Sequence, residues 1–262
     1  MAFPSSPRPS SRTARRFGRG PFKRLTTAGR ILVPALITAS LLAPSMARAR
    51  EKAVIVEILD GRELYIDRKQ ARVSQTAQAP QQVSTRNSRG QIRFNSGAMG
   101  RLNRFSLMKL GSDCFLIDRG QILISGRQNG CTRSNRMSVR GTNYVIEVED
   151  DGTTDVSVLE GTVVVEVRGD DASGGKGDQP PRTVEAGQRV RLSPAGLILR
   201  VLALTSSDYT SILSGPLFRG YSAPLPAYGS LESHIRSEMP EVRLPGSGVV
   251  RPSIPVRLPR LF

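Results

Sequence analysis

Five carboxylates fall within nine residues of this chain: Glu147, Glu149, Asp150, Asp151 and Asp155. Two carboxylates facing one another are what glycoside hydrolysis requires. Oxygen ligands gathered at a turn are what calcium requires. In "EDDGTTD", however, the acids belong to a turn and its flank, where they serve as solvated turn residues, and the EF-hand spacing is absent. Nucleophilic hydrolysis needs Ser or Cys beside His and a carboxylate. The single histidine, His234, lies in a Pro-rich region, and no G-x-S-x-G elbow occurs. "GDDASGGKGDQPP" (169–181) resembles a phosphate loop only in composition. Counted from Gly169, the lysine position is Gly175, and Lys176 is followed by Gly177. Two cysteines and one histidine are too few for a zinc site. The sequence thus predicts no catalytic residue, no metal ligand and no cofactor.

The elements around these residues are short runs of β-branched and aromatic residues that stop at Gly. "AVIVEIL", then Asp60-Gly61, then "RELYID" reads as a hairpin. "QIRFNSG", "FSLMKLG", "CFLIDRG", "QILISG" and "MSVRG" follow, and no helical stripe of useful length interrupts them before Leu204. Tyr144, Ile146 and Val148 alternate with Val145, Glu147 and Glu149, and Asp150-Asp151-Gly152 supplies a turn. Val156, Val158 and Glu160 then alternate with Ser157 and Leu159, and Glu160-Gly161 reads as a second turn opening into "TVVVEV". That last run is apolar on both faces, as in a strand covered on both sides. Three strands in a meander are the expectation for 140–167, within an all-β sandwich, barrel or short solenoid.

The net charge of +16 on 262 residues invites a nucleic-acid reading until its distribution is examined. Residues 1–49 hold nine Arg or Lys and no acid, followed by the apolar run Ile31 to Ala43 and Ala47-x-Ala49. A basic region, a short apolar region and a small-residue cleavage site are the layout of a secretory signal peptide. Thirteen residues including Pro34 are too few for a spanning anchor. Arg15-Arg16 gives a poor match to twin-arginine export, so general secretion is the expected route. Removing the nine basic residues leaves +7 for the mature chain. In an oxidising compartment Cys114 and Cys131 can pair, closing a loop for which chain entropy gives roughly 3 kcal/mol; two buried thiols are the plain alternative.

Charge is uneven in the remainder. From Arg86 to Arg140 there are eleven basic residues against Asp113 and Asp118, whereas Asn143 to Val167 holds seven acids and no base. Two outcomes are open: the segments lie side by side and partly neutralise each other, or the first forms a basic face for an anionic envelope partner. Absent Trp and few other aromatics argue against nucleic acid. Beyond Leu204, "SSDYTSIL" offers a short helix capped by Ser206 or Ser207. Eight prolines after Gly215 and two copies of "VRLP" predict an extended, largely disordered tail.

The residues of "VRGTNYVIEVEDDGTTDVSVLEGTVVVEV", with "VEAGQRVRLSPAG" beyond a gap, carry a family resemblance. Gly141, Thr142, Tyr144, Glu160, Gly161, Val163, Val165, Ala186, Gly187 and Gln188 fill the pattern of the FecR domain, and Gly120 with Ile122 to Ile124 resembles its earlier part. The likeness spans roughly residues 80–195. It implies an all-β, solenoid-like stack of short strands in which Gly141, Thr142, Tyr144, Glu160, Gly161, Ala186 and Gly187 are structural. The founding regulators add a cytoplasmic segment and a transmembrane helix, which the sequence here does not show. The expected organisation is a signal peptide (1–49), N-terminal strands (50–79), a FecR-like β domain (80–204), and a short helix with the Pro-rich tail (205–262). The expected function is a non-catalytic binding or signalling module exported to the periplasm or cell envelope, with no stable transmembrane anchor. Its partner would be an envelope protein or an anionic polymer, and no nucleic acid. The alternative is a structural protein held to wall polysaccharide by its basic face and tail.

Overall fold

The computed structural model describes residues 51–168 and 179–245, the side chain of Thr142 excepted. The expected signal peptide, the larger part of the 169–181 loop and residues 246–262 lie outside the described residues. The strands are β1 (Lys52–Leu59), β2 (Leu64–Ile66), β3 (Lys69–Gln70), β4 (Thr76–Gln78), β5 (Gln82–Thr85), β6 (Arg89–Phe94), β7 (Met99–Leu102) and β8 (Leu107–Leu110). They continue with β9 (Phe115–Ser125), β10 (Gly130–Cys131), β11 (Asn135–Val148), β12 (Thr154–Val167), β13 (Arg182–Glu185), β14 (Gln188–Leu192) and β15 (Ile198–Ala203). Two helices follow, α1 (Ser206–Leu213) and α2 (Tyr228–Glu238). The β expectation holds. The ladders are antiparallel except for the short β9–β10 pair, and no stack of solenoid coils emerges from them.

The alternation around Tyr144 belongs to longer strands than the pattern predicts. β11 and β12 form one hairpin of two 14-residue strands, not a three-stranded meander. Asp150-Asp151-Gly152 is the turn, with Gly152 at φ +86°. Gly161 does not reverse the chain. It sits at φ +84° within β12, across from the register shift at Arg140–Tyr144, and the strand continues through it. Full burial on both faces falls on Thr154 to Leu159, whereas in "TVVVEV" only Val163 and Val165 are buried.

The Asp60-Gly61 hairpin is a second correction. Both residues turn the chain with positive φ, but β1 pairs with β4 and β6, while β2 pairs with β3 and β5. A turn signal identifies where a strand stops, not which strand it next meets.

One face of the sheet closes on an aliphatic core built from Ile55, Ile92, Leu102, Phe115, Ile122, Ile146, Val156 and Val190, among others. The other face carries Leu123, Val145 and Leu159, and here the tail expectation fails for residues 215–245. Tyr209, Leu213, Leu217, Phe218, Leu225, Leu231, Ile235 and Val242 bury themselves on that face as a second core. Each such side chain contributes about 1.5–3 kcal/mol of transfer free energy, so prolines in this segment shape a covering layer. Helix α1 is capped one residue earlier than expected, at Thr205. Thr205 Oγ1 accepts from the Asp208 N–H at 3.2 Å, and the Thr205 N–H donates to Asp208 Oδ2 at 2.8 Å, a reciprocal capping box. Among the described residues no helix is long and apolar enough to cross a membrane.

Candidate binding surface at the hairpin tip

The acidic tip of the β11–β12 hairpin faces the turn between β7 and β8, and a concavity of about 700 Å³ lies between them. Arg104, Phe105, Arg119, Gly120, Val148, Glu149, Asp150 and Asp151 line it. A second concavity of about 380 Å³ shares Arg119, Val148 and the three acids, and extends to Asp118, Arg133 and Pro194.

The β7–β8 turn is fixed from beneath. Asn103 N–H donates to Gln121 O at 2.9 Å, and the Asn103 amide donates to Gln121 Oε1 at 3.0 Å. Ser106 N–H donates to Thr85 Oγ1, and Gln121 N–H to Ser106 Oγ. Gly120 makes this approach feasible: a Cβ there would stand 2.6 Å from Ser106 Oγ and 2.7 Å from Ser106 Cα. Its φ of +80° independently excludes most side chains. The turn then holds Phe105 at φ +56°, and the residue is 61% exposed. A bulky aromatic in the left-handed region costs of order 1–3 kcal/mol, and here burial returns little of it.

Charge at the concavity is mixed. Arg104 donates to Asp60 Oδ2 at 2.8 Å, and Arg133 pairs with Asp118 at 2.7 Å. Asp151 accepts from Thr153 N–H at 2.7 Å and Thr153 Oγ1 at 2.9 Å, and these hydrogen bonds hold its carboxyl below the usual range. Arg191 of β14 takes Asp155 at 2.5 Å and Glu149 at 3.2 Å. The side chains of exposed Arg119 and Asp150 make no hydrogen bond or ion pair among the described residues. The basic and acidic segments thus lie side by side, as one of the two sequence readings has it. The ion pairs of these residues nevertheless go elsewhere, to Asp60 and Asp118 on one side and to Arg191 on the other. Among the described residues no three His, Cys, Asp or Glu side chains gather as metal ligands would.

The residues singled out by motif are dispersed through the framework rather than drawn into this concavity. Gly141, at φ +53°, and Thr142 lie at the β11 irregularity. Beside them buried Asn143 donates to Glu160 Oε2 at 2.9 Å and to Ala227 O at 2.8 Å, joining the bend to the covering layer. Tyr144 is buried, donates to Gln128 O at 2.6 Å, and has its phenol pKa pushed up by desolvation. Ala186 and Gly187, the latter at φ +78°, turn β13 into β14, where the Gly187 N–H donates to Val158 O. Cys114 and Cys131 form a disulfide, with Cα atoms 5.9 Å apart. Sequence reasoning passed over Phe105 and Arg119. The available signal was an aromatic directly after Asn103-Arg104, where a turn calls for polar residues.

No family model matches the chain, and no curated protein matches it. Among solved structures it is similar to two crystal structures, at 1.65 Å and 2.50 Å, of a candidate anti-sigma factor from Parabacteroides distasonis. The first is 19% identical with a TM-score of 0.40, covering 51% of this chain and 65% of the other. The second is 16% identical with a TM-score of 0.40, covering 59% and 73%. The chain therefore spans just under two thirds of the first neighbour's length.

Proposed function

We propose that this chain is a non-catalytic, FecR-like binding module exported to the cell envelope, which engages a protein partner at the Phe105 rim. The observation that carries the reading is Phe105 itself. A large aromatic held in a costly backbone conformation and left in solvent contributes little to the fold but suits an interface, where aromatics and Arg supply most of the binding energy. Mixed charge at the same mouth favours a protein over an anionic polymer, because Glu149, Asp150 and Asp151 would repel a polyanion. The Cys114–Cys131 disulfide is consistent with an oxidising compartment. Asp155, Glu149 and Asp151 are each hydrogen-bonded within the domain.

The test places a photo-crosslinking phenylalanine analogue at position 105 of the full chain in its native host. A discrete protein adduct, lost when Arg119→Glu is added, is the expected result. A diffuse adduct that dissolves on polysaccharide digestion supports the wall-associated alternative instead. No adduct removes the rim as a site.

A further inference from the structure

We propose that β15 is a docking edge for an extended acidic segment of a second protein, added to the sheet as a further strand. Among the described strands β15 pairs only with β14. Leu204 N–H donates to Gly187 O, which sets the parity of that ladder. Leu202 and Arg200 turn their main-chain groups toward Arg189 and Arg191, so Val201 and Ala203 turn theirs outward. No described partner takes those outward groups.

The start of the strand is closed. Leu199 is bulged, because Arg191 pairs with Arg200 and Leu192 with Ile198, and Ile198 N–H is taken by Gln179 Oε1 at 2.9 Å. Bulges and side-chain caps are how sheets protect their edges. Past Leu199 that protection ends, although the side chains there are apolar and wet. Leu197, Leu199 and Leu202 are 45%, 58% and 45% exposed, three of the five exposed large apolar residues among the described ones.

Charge selects the occupant. From Gln188 to Leu204 there are three arginines and no acid. Asp155 and Glu149 hold Arg191, and Asp208 lies 3.9 Å from Arg189, whereas exposed Arg200 meets no carboxylate among the described residues. A second copy would set one such edge against another, joining like charges. An incoming strand with acidic residues beside Arg200 and apolar residues beside Leu199 and Leu202 satisfies the main chain, the leucines and the guanidinium together. The partner's compartment follows from the exported-module reading, but the edge does not depend on the Phe105 rim.

The experiment titrates the purified full chain with an acetylated octapeptide of repeating valine-valine-glutamate-glutamate, which alternates the two residue types along each face of the strand, and with its valine–lysine counterpart. The expected result is binding of the glutamate peptide only, with slowed hydrogen exchange at the Val201 and Ala203 amides. Ala203→Pro, which deletes an outward donor, should weaken binding at least about tenfold, as should Arg200→Glu, which should also shift preference to the lysine peptide. Arg200 is exposed, so its variant serves even if the proline variant misfolds. Equal binding of both peptides, unchanged exchange at those amides, or self-association that Ala203→Pro abolishes would each overturn the proposal. Failure here leaves the crosslink at position 105 unaffected, and failure of that crosslink leaves the edge unaffected.

Discussion

Arg101 and Arg119 lie on neighbouring parts of the same sheet and meet opposite fates. Arg101 is 5% exposed, with its guanidinium donating to Gln91 Oε1, Leu217 O and Ala223 O at 2.8, 3.1 and 3.0 Å beneath the Tyr221 ring, 4.2 Å from its centroid. Desolvation brings its pKa down to about 10, still charged at neutral pH, and burial among these groups raises Tyr221 to about 12. Arg119 shares its concavity with an aromatic too, but both are open to water. One arginine is consumed in closing the fold, and the other remains available. A count of basic residues in the sequence cannot distinguish them, which is why eleven bases between Arg86 and Arg140 do not make a uniformly basic face.

Arg101→Leu should break the closed region most severely. It leaves the Leu217 carbonyl without its Arg101 donor and Ala223 O with only the longer Gln91 contact at 3.4 Å, at a cost on the order of 3 kcal/mol, measurable by urea unfolding and by faster proteolysis within 215–224. A loss below experimental error would mean that the second core holds the covering layer unaided. Phe105→Asn should act in the other direction at the open region, because Asn tolerates the left-handed conformation. A gain of about 1 kcal/mol, or about 3 °C in Tm, is expected. Destabilisation would make Phe105 a structural anchor and dissolve the contrast.

Asp60 connects the two regions, accepting from Arg89 at 2.6 Å on the closed side and from Arg104 at 2.8 Å on the open side. Its pKa is lowered, chiefly by the Arg89 hydrogen bond. Its contribution is therefore complete above the ordinary aspartate value and fades as pH falls through the depressed one. Glu51 runs the other way. Burial raises its pKa, so stability is lost as pH rises from the ordinary glutamate value through the raised one. Stability curves of Asp60→Asn and Glu51→Gln should accordingly differ from the parent in opposite senses near neutral pH, the first lower and the second higher. Identical curves would show that neither carboxylate is linked to folding.

Much of the architecture was legible because strands declare themselves locally. The Tyr144–Ile146–Val148 alternation and the Asp150-Asp151-Gly152 turn are each a matter of a few adjacent residues, and with two cysteines in the chain Cys114 and Cys131 have no other pairing to choose. Pairing was less accessible. Asp60-Gly61 looks like any hairpin turn, and only the long-range matches of β1 to β6 and β2 to β5 separate its arms. Gly161 was misread for a related reason, since positive φ serves a bulge as well as a turn. The Pro-rich segment was misread because composition reports chain stiffness and not the apolar strip of Leu123, Val145 and Leu159 awaiting a cover. Phe105 offered one local signal, an aromatic where a turn calls for polar residues, but its exposure is decided only by the fold.

The lid over that strip is the last part of the described chain to be synthesised. Until residues 217–223 emerge, the Arg101 cation has no carbonyls to receive it and three aliphatic side chains face water, so the nascent sheet passes through a vulnerable interval in which it is sticky and unfinished. A ribosome that stops near Leu204 would release a polypeptide with every strand and no native state. Gene truncations meant to isolate the β-sheet should be expected to precipitate.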